Sequence, residues 1–246
     1  MDSCKVILGA TGSVGSSLVR RLSTANQHVL AAGRDESKLA RLKDETGCPT
    51  FPVDAHNPET IEAAVQHAAE QFGSVDGIAN CMGTILLKPA HLTSFEEWQE
   101  TVQVNLTSAF ATVRAGANVM KRDGGSIVLV SSAAARIGLA NHEAIAAAKA
   151  GIIGLTLSAA ATYAKRNLRV NAVAPGLVKS EMTRSLWESE ATAKQSRAMH
   201  ALGRLGEPDE VASMIAWLLN PETQWVTGQV IGVDGGLASV VSRGKG

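Results

Sequence analysis

Apolar runs alternate with longer amphipathic stretches from one end of the chain to the other. Short apolar runs predict strands at Lys5–Gly9, His28–Ala32, Thr50–Val53, Val75–Asn80, Ser126–Val130, Leu168–Ala174 and Gln229–Val233. Pro52 makes the third of these an edge strand or no strand, because proline has no N–H to donate to a ladder. Helical spacing appears through Leu18, Val19 and Leu22, and again over Pro208–Leu219. Asn57 and Pro58 open a helix as N-cap and first-turn residue. Glu96–Met120 reads as one long helix, or two with a kink. Strands that are apolar on both faces, separated by helices, predict an α/β doubly wound parallel sheet of about seven strands, with helices on both faces. The chain shows no linker or repeat, so one domain is expected over residues 1–246. Its least regular part, 180–201, is placed to act as a lid over a ligand crevice.

Ala144–Ala164 is apolar enough to suggest a membrane span, but it contains Lys149, Thr156, Ser158 and Thr162. A helix buried by sheet and partner subunit is the expectation. Composition narrows the partners. Lys+Arg and Asp+Glu both number 23 in 246 residues, which leaves no basic excess for nucleic acid. The 3 cysteines, Cys4, Cys48 and Cys81, are scattered and form no ligand pair, so a reducing cytoplasm is expected. Val6, Ile7 and Leu8 are too short a run for a signal sequence, and Asp2 has the wrong charge for one. No His/Asp/Glu cluster has metal-ligand spacing.

Candidate chemistry begins directly after the first strand. Gly9, Gly12 and Gly15, with Thr11, Ser13 and Val14 between them, form a glycine-rich turn into the first helix. This is the context of a Rossmann-type dinucleotide site. There glycines let the backbone approach a pyrophosphate, and the helix N-terminus supplies N–H donors and positive dipole. At the second strand tip, an acid for the ribose 2′-hydroxyl of NAD is replaced by Gly33 and Arg34. Arg34 suits a 2′-phosphate, so NADP(H) is preferred over NAD(H). The alternative is that Arg34 is a surface residue and Asp35 turns inward.

Further motifs follow in order: Asp54; Asn80, Cys81, Met82 and Gly83; Asn105 between Val104 and Leu106; Ser131 and Ser132; Lys149; Asn171 through Pro175 and Gly176; Ser180 and Met182; Gly203, Gly206 and Pro208; Thr227 and Gly228; and Asp234, Gly235 and Gly236. With these the chain resembles the classical branch of the short-chain dehydrogenase/reductase family over essentially its whole length. The resemblance implies that Asp54 lies near the adenine. It also implies that Asn80, Gly83, Pro175, Gly176 and Ser180 border the cofactor, and that Ser132, Lys149 and Asn105 belong to a catalytic tetrad. A homotetramer is implied too, with the apolar helices paired across two-fold axes. Val240, Val241 and Ser242 are candidates for a further interface.

Two departures from the family pattern stand out. Ser13 occupies a position where that pattern has glycine, so the loop resembles the extended branch. More consequentially, the family's catalytic tyrosine precedes its lysine by four residues, and Ile145 stands there. Tyr163, the 1 tyrosine of the chain, lies 18 residues beyond Ile145 (163 − 145). That is about 27 Å along a helix axis, out of reach. His142, about one turn before Ile145, is a candidate proton donor or a plain helix-start histidine. Lys149 acting through water is another. Met82, Ile85, Leu86, Leu87, Leu186 and Trp187 suggest an apolar crevice or core. Three functions are therefore open: an NADP(H)-linked carbonyl/alcohol oxidoreductase, a dinucleotide-binding sensor or partner subunit, and a non-redox reaction in the same pocket.

Overall fold

In the computed structural model, which describes residues 3–120 and 124–241, seven parallel strands form one sheet in the order β3-β2-β1-β4-β5-β6-β7. The strands are β1 Ser3–Leu8, β2 His28–Gly33, β3 Thr50–Pro52, β4 Ser74–Asn80, β5 Gly125–Val130, β6 Leu168–Pro175 and β7 Val230–Val233. Pro52 indeed sits on an edge strand. Asp2 and Ser242 lie outside the described residues.

Side chains of β1 alternate between two cores, as a pleated strand requires. Val6 and Leu8 join Ile78, Ile127, Leu129 and Ile152 on one face. Ile7 joins Leu18, Val19, Val128, Ile215 and Leu218 on the other. The first face is covered by α3 Pro58–Phe72, α5 Ser108–Val119 and α6 Glu143–Tyr163; the second by α1 Ser13–Thr24, α2 Glu36–Thr46 and α8 Pro208–Leu219. Over β1, β2, β4, β5 and β6 both faces of the sheet are largely buried, which is why these strands read as continuous apolar runs.

The helix α4 Phe95–Val102 runs into α5 through a π-helical turn at Gln103–Thr107. The stretch expected as one helix or two is thus one rod with a π-bulge, and Asn105 sits in the bulge. Such a turn carries one residue more than an α-turn and is frequent at functional sites. The segment from Glu143 to Arg166 is long and apolar enough to cross a membrane. Here it presents Ala148, Ile152, Thr156 and Ala159 inward, packs on β6, and buries Lys149.

Two helices depart from the sequence expectation. α2 had no counterpart in the apolar pattern. The segment 180–201, expected to be irregular, contains the ten-residue helix α7 Glu190–Met199, which turns a single residue, Ala193, into the interior.

Candidate functional site

The sheet order reverses at β1, between β2 and β4, and a crevice opens at the carboxyl ends of such strands. The glycine loop lies there. Gly9 has φ 75°, and a Cβ on it would stand 2.7 Å from the Cys81 carbonyl carbon and the Met82 nitrogen. A Cβ on Gly15 would stand 2.2 Å from the Gly9 oxygen. These two glycines let α1 start hard against the strand ends. Gly12 is different, since its Cβ would meet only the Gly9 oxygen at 3.4 Å. It is the N-cap of α1 and makes no side-chain cap. The amides of Ser13, Val14 and Gly15 open this helix, a ready anion seat. Thr11 abuts Gly33 across the β2 tip.

Arg34 follows that tip and is exposed. Asp35 does not turn into the crevice. Its carboxylate accepts from the Lys38 amide at 3.0 Å and from Ser37, capping α2. The acid nearest the β2 tip is therefore engaged in capping, while Arg34 stands exposed beside it. The Val53 amide bonds the Gly33 oxygen at 2.9 Å, which brings Asp54 beside this tip. The positive charge of Arg34 helps hold the Asp54 carboxyl below its ordinary range, after the larger effect of hydrogen bonds from His56.

Beyond β4, Asn80 is buried. Its amide nitrogen donates to Thr112 at 2.9 Å and its oxygen accepts from the Met82 amide, fixing the turn that leads to Gly83. Gly83 passes between two polar groups: a Cβ on it would lie 2.9 Å from Asn105 Oδ1 and 3.3 Å from Lys149 Nζ. Asn105 donates to the Thr101 oxygen and the Thr84 hydroxyl and accepts from the Thr84 amide. Lys149 Nζ donates to the Val130 oxygen at 2.9 Å, across the end of β5, and Ser131 ties the same helix turn to the strand through the Lys149 oxygen at 2.8 Å. Burial pulls the Lys149 ammonium down to about 8. Desolvation pushes the Cys81 thiol up to about 12 despite the nearby Lys149 charge, so it is no nucleophile at neutral pH.

Ser132 Oγ accepts from the Ala134 amide at 3.1 Å. One lone pair is occupied, and among the described residues its O–H has no acceptor and remains available to donate. Ile145 is 4% exposed, one turn before Lys149 on α6. His142 stands at the N-cap of α6, partly buried, with Nδ1 2.7 Å from the Ala140 oxygen. Pro175 and Gly176 close β6, and the Leu177 amide donates to Nε2 of buried His200, whose Nδ1 donates to the Ser196 oxygen of α7. Ser180 bonds Thr183, and Met182 is exposed. The structure thus gathers Asn105, Gly83 and Lys149 tightly and sets Ser132 at the adjoining strand end, while His142 stays with its own loop. Sequence reading passed over Thr84, His56 and His200. The Asp54/His56 spacing of two was the available signal for the second.

Comparison with known proteins places these features in a wider set. Residues 9–238 match the family model described as enoyl-(acyl carrier protein) reductase. The chain is 34% identical over 235 residues to the 3-oxoacyl-[acyl-carrier-protein] reductase FabG of Vibrio cholerae, across 94% of this chain and 96% of that protein. A short-chain type dehydrogenase/reductase from Mycobacterium ulcerans superposes with TM-score 0.93 at 28% identity, covering 98% of this chain and 92% of its own. An actinorhodin polyketide ketoreductase variant with NADPH superposes with TM-score 0.89, also at 28% identity, covering 97% and 98%.

Proposed function

Because this chain belongs to the short-chain dehydrogenase/reductase family, we propose that it is an NADP(H)-dependent oxidoreductase of carbonyl and alcohol substrates that works without the usual tyrosine. The observation that carries this reading is the meeting of Lys149 Nζ and Asn105 Oδ1 around Gly83, at the same sheet edge as the glycine loop. The residues fit a dinucleotide: Gly9 and Gly15 form a cradle that a Cβ would fill, and α1 begins without a side-chain cap. Gly9 to Gly15 would hold the pyrophosphate, Arg34 the 2′-phosphate, Asp54 the base, and Lys149 the nicotinamide ribose. Asn80, Gly83, Pro175, Gly176 and Ser180 would line the remaining wall. Bound NADP(H) supplies or accepts the hydride.

Ser132 then orients the substrate oxygen with its free O–H. Lys149 is charged at neutral pH, yet its pKa of about 8 lies close enough to let it pass a proton through water. His142 is the other candidate, as a base at Nε2 when its ring is neutral and as a donor there only as the imidazolium. Its Nδ1–H is held by the Ala140 oxygen, which leaves Nε2 for substrate or water. Asn105 supports the water relay. The 180–201 segment, pinned to the loop after β6 by His200, covers the crevice within one domain. The buried Ile145 favours a second reading, a dinucleotide-binding sensor or partner subunit.

Calorimetry tests cofactor choice. Wild type is expected to bind NADPH more tightly than NADH, and Arg34→Ala to lose about tenfold in NADPH affinity, with NADH unchanged, since a charge-assisted contact of about 1.4 kcal/mol is removed. Tighter binding of NADH by the wild type would refute the assignment.

We also read the exposed Phe95, Trp98 and Phe110 on α4 and α5, with Leu157 on α6, as interface surface of a homotetramer. Light scattering is expected to give a tetramer at micromolar concentration; a monomer would contradict it. Relatives named as acyl-carrier-protein reductases support a cytoplasmic enzyme acting on a small-molecule or acyl-chain carbonyl.

A further inference from the structure

Three groups meet outside the Ser132/Lys149 cluster, at the tip of β3. Asp54 Oδ1 accepts both the His56 amide at 3.0 Å and His56 Nδ1 at 2.9 Å. His56 Nε2 faces both carboxylate oxygens of Glu100 on α4, at 2.8 and 2.9 Å. Gln103, at the start of the π-turn, donates to the Ala55 and His56 oxygens at 3.3 and 3.4 Å. The loop after β3 is thus fastened to the same rod that carries Asn105. Among the described residues, Asp54 Oδ2 has no hydrogen-bond partner.

Topology says what lies over this tip. A dinucleotide with its pyrophosphate at the start of α1 runs its phosphorylated nucleoside past β2 toward β3. Its base therefore arrives at Asp54. A carboxylate fixed through one oxygen offers the other as an acceptor in a set direction. The matching chemistry is an exocyclic amine.

We propose that His56 is a positioning residue for base recognition: by holding Asp54 Oδ1 and anchoring on Glu100, it aims Asp54 Oδ2 at the amino group of an adenine. The proposal rests on the NADP(H) reading above. Only an imidazolium donates from both ring nitrogens. A neutral ring keeps one of the two carboxylates and turns a lone pair on the other. The charged groups that face the ring are Asp54 on its own loop and Glu100 on α4, with Arg34 acting on Asp54 from the β2–α2 connection. Both carboxylates raise the His56 pKa from its ordinary value. Base selection is therefore lost as pH rises through the raised pKa. All three side chains are partly exposed, so water competes and the effect is one of selectivity more than stability.

The test is calorimetric titration of wild type and His56→Ala with NADPH and with its hypoxanthine analogue, in which oxygen replaces the exocyclic amine, from about pH 6 to about pH 9. Wild type is expected to prefer NADPH about tenfold at the acid end of this range, with the preference shrinking as pH rises. His56→Ala should show about twofold preference and no pH dependence in the ratio. Taking the ratio cancels titration of the 2′-phosphate, which both ligands carry. Equal preference in the two proteins at every pH overturns the proposal while leaving the NADP(H) reading intact. Failure of wild type to bind NADPH overturns both.

Discussion

Ile145→Tyr is expected to raise carbonyl turnover by about 10²–10⁴-fold, the range supplied by one positioned general acid. Ile145 and Lys149 are one turn apart on α6, and Ser131 and Lys149 bind that turn to the end of β5. A phenol at 145 would stand beside an ammonium in a desolvated site. An adjacent positive charge favours the phenolate, so the tyrosine pKa would fall from about 10 toward neutrality, where proton transfer is most effective. The pH profiles should differ as well. In the wild type, kcat/KM is expected to fall as pH rises through the Lys149 value of about 8, because the ammonium that holds ribose and feeds the relay is lost. In the variant a second ionisation, the phenol's, should enter. Stopped-flow reduction of a ketone panel measures both. A variant no faster than wild type would mean that a resident group already supplies the proton at full effect, and His142→Ala would then identify or dismiss it.

The second large effect is expected at the glycine loop, where two neighbouring glycines should fail in different ways. A methyl on Gly15 meets the Gly9 carbonyl oxygen at 2.2 Å and the Ala10 Cα at 2.9 Å, both backbone. Neither can rotate away, so α1 must lift from the sheet. Overpacking of this kind costs about 1–3 kcal/mol, and Gly15→Ala is expected to lower Tm by about 2–12 °C in a chain of this size. Gly12 has no such neighbour, and its φ of −78° suits any residue. Gly12→Val is therefore expected to leave Tm nearly unchanged and to weaken NADPH binding about 100-fold, by filling the space where the pyrophosphate meets the α1 amides. Thermal unfolding together with NADPH titration separates the two. Unimpaired NADPH binding by Gly12→Val would place the pyrophosphate elsewhere.

The contrast between these glycines shows how far sequence reading reaches. The βα turn was visible because strand, glycines and amphipathic helix are contiguous, and the five inner strands were visible because both of their faces are largely buried. α2 was missed, since only Leu39 and Leu42 of its eleven residues are buried and periodicity has little to detect. Its signal was in the caps instead: Asp35 bonds the Lys38 amide, and Gly47 ends the helix at φ 71°. α7 hid for the same reason. An inward-turning Asp35 stood as the alternative to Arg34 at the β2 tip, whereas helix capping claims that carboxylate. The π-turn at Asn105 has no sequence signature, because one extra residue in a helical turn is a response to tertiary packing. His56 was passed over because its partner Glu100 lies 44 residues away (100 − 56) on a different element. Spacing along the chain shows ligands that share one helix or loop, and long-range pairs appear only once the fold is assembled.

The central claim is that this site carries out hydride chemistry with Ile145 in place. The most direct measurement is single-turnover reduction of a 3-oxoacyl thioester by wild-type protein with NADPH deuterated at the transferable C4 position. The account predicts deuterium on the new carbinol carbon, with one NADP⁺ formed per product. Tight NADPH binding with no label transferred, or product formed without NADP⁺, would contradict it and leave a dinucleotide-binding protein or a non-redox reaction in its place.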